Sequence, residues 1–236
     1  MFCTPETSGR ETIPFLWVHT LFPMPPYDAV LVESTYGARL HPEAESSLDD
    51  IIRTTIARDG TVLIPAFAVD RTEIILAEIN DSMDAGLIPR VPVYVDSPMV
   101  IRALQVYRHA IDSDHQEIRP DIRDHLSASD VFNPGTLETL ATPEESKSIN
   151  GAPPCIIISA SGMATGGRVL HHLRRLLPNP HNTVVLTGYQ AHGTRGASLR
   201  DRARTVRIHG QDVPVNAEVV ALEHFSVHAD RDDVRA

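Results

Sequence analysis

The stretch from Cys155 to Leu177, CIIISASGMATGGRVLHHLRRLL, constrains the fold of this chain most. Cys155 to Ile158 are consecutive apolar residues and read as a short buried strand. Ser159, Ser161, Gly162, Gly166 and Gly167 then make a small-residue loop. Val169, Leu170, Leu173, Leu176 and Leu177 recur at helical spacing, with Arg168, His171, Arg174 and Arg175 on the other faces, and Pro178 ends the helix. A glycine-rich turn between a strand end and a helix start lets backbone N–H groups approach an anion, and the unpaired donors of the first helical turn add partial positive charge. Phosphate is the expected guest. The spacing matches neither the dinucleotide fingerprint nor the P-loop, so a turn serving only tight strand-to-helix packing stays open beside the anion site.

Alternation around that unit sets the fold class. Val30 to Val32 read as a strand ending in Glu33-Ser34-Thr35-Tyr36-Gly37. A carboxylate at that position is a common active-site placement in α/β proteins, with structural capping or pairing of Glu33 as the alternative. Pro42 and Glu43 open a helix whose apolar set is Leu48, Ile51, Ile52, Thr55 and Ile56, and Gly60 stops it. Thr61 to Phe67 is a strand. Asp70-Arg71-Thr72-Glu73 has the form of a capping box ahead of Ile74, Ile75, Ala77 and Ile79, which makes Asp70 an N-cap rather than a catalytic group.

Val91 to Asp96 is the next strand, and Ser97-Pro98 starts a helix ending near Arg108. Residues 109 to 153 are polar, acidic and proline-containing, and read as short helices and loops with His109, His115 and His125 solvated. Thr183 to Thr187 form a strand before the loop Gly188 to Gly196, whose glycines, Tyr189, His192 and Arg195 suit contacts with phosphate or base. Val206–Ile208 and Val213–Val215 read as a hairpin, and Val219 to Leu222 as a last strand. The sum is an α/β fold, a mostly parallel sheet flanked by helices.

Composition bounds the function. A chain of 236 residues can bury a sizeable core. No apolar run approaches the roughly 20 residues of a membrane helix. The N-terminus lacks the basic start and continuous apolar centre of a signal peptide, so a cytoplasmic protein without a membrane partner is expected. Cys3 and Cys155 are too few for a disulfide framework, and Cys155 reads as a small buried hydrophobe. The net charge of −10 argues at first against nucleic acid. Yet residues 168 to 209 carry eight arginines against the single acid Asp201, leaving 13 basic and 30 acidic residues elsewhere, so a local basic surface survives. His228, two residues before Asp230, is a candidate general acid or metal-site neighbour, although one His-x-Asp does not define a zinc site. Ser161 lacks the hydrolase nucleophile frame.

Six segments in one order resemble the β-CASP branch of the metallo-β-lactamase superfamily, which comprises RNA-processing nucleases. They are Val32–Gly37, Ile64–Arg71, Asp96–Met99, Ser159–Arg168, Gly188–Ala191 with Gly193-Thr194, and Phe225–Asp230. The resemblance implies a β-CASP cap over residues 37–221, with an RNA-specificity segment from about residue 183. It also implies remnants of a metallo-β-lactamase αββα domain at 1–36 and 222–236. It implies a phosphodiester hydrolase acting on single-stranded RNA, with two zinc ions in the complete enzyme activating a hydroxide. Glu33 would orient His228, which would protonate the leaving oxygen or stabilise the scissile phosphate. Ser161, Gly162, Gly166, Arg168, Tyr189, His192, Gly193, Thr194 and Arg195 would hold RNA phosphates or bases.

The chain departs from that pattern at the metal. No His-x-His-x-Asp-His run occurs, Thr7 stands where a bridging aspartate belongs in Glu6–Arg10, and the last histidine ligand would lie past Ala236. The expectation is therefore a partial chain without tightly bound zinc, partnered by RNA and by either a second copy of itself or a complementary metallo-β-lactamase chain. Two other classes stay open: a catalytically silent RNA-binding module, and a nucleotide-binding α/β enzyme.

Overall fold

The computed structural model describes residues 29, 34–38, 40, 47–113, 115, 118, 130–222, 225, 228 and 231. In chain order they form α1 (Leu48–Ala57), β1 (Val62–Pro65), α2 (Arg71–Asp84), β2 (Val93–Val95), α3 (Pro98–Asp112), β3 (Leu137–Thr139) and α4 (Pro143–Ser148). A short 3₁₀ turn, Ile149–Gly151, leads to β4 (Ile156–Ser159), α5 (Val169–Leu176), β5 (Thr183–Leu186), α6 (Arg195–Arg200), β6 (Thr205–Ile208), β7 (Gln211–Pro214) and β8 (Glu218–Ala221).

Six strands make one sheet in the order β3-β2-β4-β1-β5-β8, and every neighbouring pair is parallel. Burial on both faces explains the continuous apolar runs of its central strands. Side chains alternate between two cores. Val62, Ile64, Val93, Val95, Ile156, Ile158 and Val185 face the core covered by α1, α2 and α3. Leu63, Tyr94, Cys155, Ile157, Val184 and Leu186 face the one covered by α5 and α6. The β6–β7 hairpin is antiparallel and separate, and sends Val206, Ile208 and Val213 into the second core.

The connections leaving β1 and β4 diverge. The β1 connection runs through α2 across β4 to β2, and the β4 connection runs through α5 across β1 to β5. Crossing on opposite faces, they open a crevice at the carboxyl ends of the strands, where open α/β sheets receive ligands.

Several local expectations change. The helix expected from Pro42 begins, within the described residues, at Leu48: Ser47 is extended, and its hydroxyl accepts from the Asp50 N–H at 3.1 Å. Asp70 does not act as a capping side chain. Its backbone sits at φ 63°, and its carboxylate accepts the Tyr107 hydroxyl instead. Residues 109 to 153 hold an edge strand, β3, whose Glu138 and Thr139 are exposed and so leave no apolar signature. The loop after β5 closes into α6, with the Thr194 hydroxyl accepting from Ala197 N–H at 3.1 Å. The strand expected at Val30–Val32 lies outside the described residues.

Candidate nucleic-acid interface

The glycine loop after β4 is held shut by Ser161. Its hydroxyl lies 3.0 Å from the Thr165 hydroxyl and accepts from the Thr165 N–H at 3.2 Å. Gly167 sits at φ 83°, and a Cβ there would lie 2.7 Å from the Ala160 carbonyl, so this glycine is required by the turn itself. A Cβ on Gly166 would meet nothing within 4 Å, so the interior gives no steric reason for glycine there. Gly162 packs against Phe67 from the β1 edge, where a Cβ would come within 3.0 Å of the ring. Phe67 is itself 42% exposed, which leaves an aromatic surface at the crevice.

The loop after β5 is stitched to the glycine loop. Buried Gln190 donates from Nε2 to the Gly162 carbonyl at 3.2 Å and the Gly188 carbonyl at 3.0 Å. The Gly196 N–H donates to the Met163 carbonyl at 3.1 Å. Arg195 donates to the carbonyls of Ala164 and Thr165, both at 3.3 Å, and to that of Arg207 at 2.6 Å. Ser161, Gly162, Gly166, Gly193 and Thr194 thus belong to one braced double loop, with His192 and Gly193 exposed at its outer rim.

Arg168 points inward. Its Nη1 donates to Asp96 Oδ1 at 2.7 Å and to the Leu140 carbonyl at 2.8 Å, and its Nη2 to the Ala141 carbonyl at 2.7 Å. Asp96, fully buried at the end of β2, also accepts from Ser146 Oγ at 2.5 Å and pairs with His172 Nε2 at 2.6 Å. Burial alone would raise the Asp96 carboxyl. The hydrogen bonds from His172, Ser146 and Arg168 outweigh it and hold the group below its ordinary value. Arg195 thus braces the glycine loop, and Arg168 ties the start of α5 to Asp96 and to the segment after β3.

Tyr36 gathers the remaining candidates. Fully buried, its ring stands edge-on to Tyr189 and stacks on His228, each at a centroid distance of 6.1 Å. The turn containing Tyr36, the loop after β5 and the segment bearing His228 meet at this point. Glu33 lies outside the described residues. Among the described residues, no three His, Cys, Asp or Glu side chains converge so as to hold a metal ion, and none of the helices is long and apolar enough to cross a membrane.

Phe67, Asp96 and Gln190 enter the sequence reading only as members of the segments that resemble the family, with no role of their own, and His172 does not enter it. Asp96 carried a usable signal, since it is a carboxylate at a strand's carboxyl end, the same argument applied to Glu33. The roles of Gln190 and His172 depend on partners 28 and 76 residues away, which no local pattern reveals.

A parallel α/β sheet with paired glycine-bearing loops at its carboxyl edge, next to a tyrosine-histidine stack, defines the open-sheet α/β class of domain, in which that edge is where ligands are received. The Beta-Casp domain model matches residues 72–199, and the chain belongs to that family. It is similar to ribonuclease TTHA0252 of Thermus thermophilus, 39% identical over 216 residues, covering 89% of this chain and 49% of that protein. The RNase J-like protein of Methanocaldococcus jannaschii is 36% identical over 208 residues, covering 86% of this chain and 47% of that protein. Transcription termination factor FttA of Methanosarcina mazei is 33% identical over 222 residues, covering 88% and 34%. The chain spans about half the length of the first two relatives and about a third of the last.

Proposed function

We propose that this chain is the RNA-binding cap of an RNA-processing phosphodiester hydrolase, and that single-stranded RNA lies along the carboxyl edge of its parallel sheet. The observation that carries the reading is the double loop after β4 and β5, which Gln190 and Arg195 hold together with Gly166, His192 and Gly193 open at its surface. Backbone N–H groups of Gly162, Gly166 and Gly193 serve as phosphate donors, while Ser161 and Thr194 shape the loops that present them, the Thr194 hydroxyl donating to the Ala191 carbonyl at 2.7 Å. Tyr189 and His192 supply contacts to sugar or base. Arg168 and Arg195 act as positioning residues that keep the loops in shape. Phe67 offers a face for a base, since base–aromatic stacking tolerates any sequence.

His228 is assigned the proton at the leaving oxygen, with Glu33 orienting its ring. The cap is taken to span residues 37–221, with the flanking segments belonging to a metallo-β-lactamase domain. Among the described residues, no cluster of His, Cys, Asp or Glu side chains fits a metal ion. The names of the relatives support RNA as the substrate, and the domain family supports the architecture.

The test is a time course of end-labelled single-stranded RNA with the chain and added zinc or manganese, beside His228→Ala. Cleavage that disappears in the variant supports the hydrolase and the role of His228. A shifted but intact RNA restricts the chain to binding. RNA that is neither shifted nor cut refutes the proposal.

A further inference from the structure

A cavity of about 630 Å³ is lined by residues of α4, of the turn after it and of α5. Six of its nine lining residues are Lys147, Arg168, His171, His172, Arg174 and Arg175, and none of the nine is acidic. The carboxylate beneath it, Asp96, is already engaged by Arg168, His172 and Ser146. Lys147 and Arg174 form no ion pair with a described residue. Arg175 donates from Nη1 to the Asn150 carbonyl at 2.8 Å, while its Nε has no partner among the described residues. His172 has a side chain only 2% exposed, and its Nδ1 is likewise without a described partner.

Like charges gathered around a hollow repel one another and call for a counter-ion. The effect registers on His171, whose ring stacks on His209 at 4.7 Å. Burial lowers its pKa, and His209, Arg174, His172 and Lys147 lower it further.

We propose that this cavity is a second anion site, built for a phosphate-bearing polyanion larger than a single inorganic phosphate. Arg174, Arg175 and Lys147 neutralise the ligand's charge, and the His171 and His172 rings line the same cavity. The volume suits a diphosphate or longer group, because a water's share of liquid volume is only about 30 Å³. Arg175 lies seven residues along α5 from Arg168, roughly 10 Å at the helical rise. That offset leaves two sources for the same chemistry: the backbone of an RNA strand running past the glycine loop, or a free di- or triphosphate. The proposal does not depend on RNA occupying the carboxyl edge.

Pyrophosphate titrated into the chain, followed by calorimetry and by the ring resonances of His171 and His172, tests the site. Lys147 and Arg174 are exposed, so the double variant Lys147→Gln/Arg174→Gln removes charge without opening the core. Saturable binding that moves both rings, weakened roughly tenfold or more in the double variant, is expected. A single-stranded oligoribonucleotide that moves the same resonances and is displaced by pyrophosphate identifies the strand as the source. Ring shifts with pyrophosphate but not with RNA identify a free phosphorylated ligand. No ring shift at millimolar pyrophosphate, or equal affinity in the double variant, overturns the site.

Discussion

Replacing Glu73 by glutamine changes how the fold responds to pH. Glu73 lies in the first turn of α2, fully buried. Burial raises its carboxyl from 4.5 to about 7; the backbone N–H groups of Glu73 and Asp70 oppose the rise, and the neighbouring Asp70 carboxylate adds to it. A raised folded value means that the native state holds a proton the unfolded chain has released. The stabilisation is full below 4.5 and is lost as pH climbs through about 7. At about 1.4 kcal/mol per pH unit, the loss across that window is on the order of 3 kcal/mol. Glu78, also raised to about 7 by burial and by Asp49 and Asp81, adds a similar slope.

Urea unfolding followed by circular dichroism from about pH 5 to pH 8 measures both groups together. Glu73→Gln keeps the shape and removes the titration. The slope of stability against pH therefore falls by about 1.4 kcal/mol per unit between about pH 5 and pH 7, leaving the Glu78 share. Parallel pH profiles for wild type and variant would refute the burial argument, whatever the offset between them.

Other perturbations separate bracing from binding. Asp96→Asn strips a buried carboxylate from Arg168 and His172 and costs about 3–5 kcal/mol in urea unfolding at neutral pH. Because the Asp96 carboxyl is held below its ordinary value of 3.8, that difference is full above 3.8 and shrinks as pH falls through the depressed value. Gly167→Ala, at φ 83° and 2.7 Å from the Ala160 carbonyl, destabilises by roughly 1–3 kcal/mol. Gly166→Ala, in open space, leaves the unfolding free energy within about 0.5 kcal/mol of wild type and weakens RNA binding in fluorescence anisotropy.

The parts of the fold legible in the sequence are those governed by local pattern. The Cys155–Ile158 run, the apolar stripe from Val169 to Leu176, and Ser97-Pro98 at a helix start each follow from spacing or capping alone, and each stands in the structure. Strand β3 escaped because an edge strand with Glu138 and Thr139 exposed carries no apolar run. Asp70 stands at the N-cap of α2 as its motif suggests, but the capping bond does not form, because the motif fixes residue types and not backbone angles, and at φ 63° the side chain turns to Tyr107.

At the site, glycine spacing marked the two loops, while charge alone did not reveal direction. Arg168 and Arg195 look in sequence like phosphate ligands, yet their described donors go to Asp96 and to backbone carbonyls. The bracing by Gln190 joins elements 28 residues apart and becomes visible only once the strands are side by side.

Backbone amide NMR of the chain titrated with a short single-stranded RNA tests the central claim most directly. The account predicts that shifts concentrate at the carboxyl edge of the sheet, in residues 161–167 and 188–195 with Phe67 and His228, and that they weaken with added salt as phosphate contacts must. Shifts confined to the opposite edge, or none at RNA concentrations that saturate a related nuclease, would contradict it.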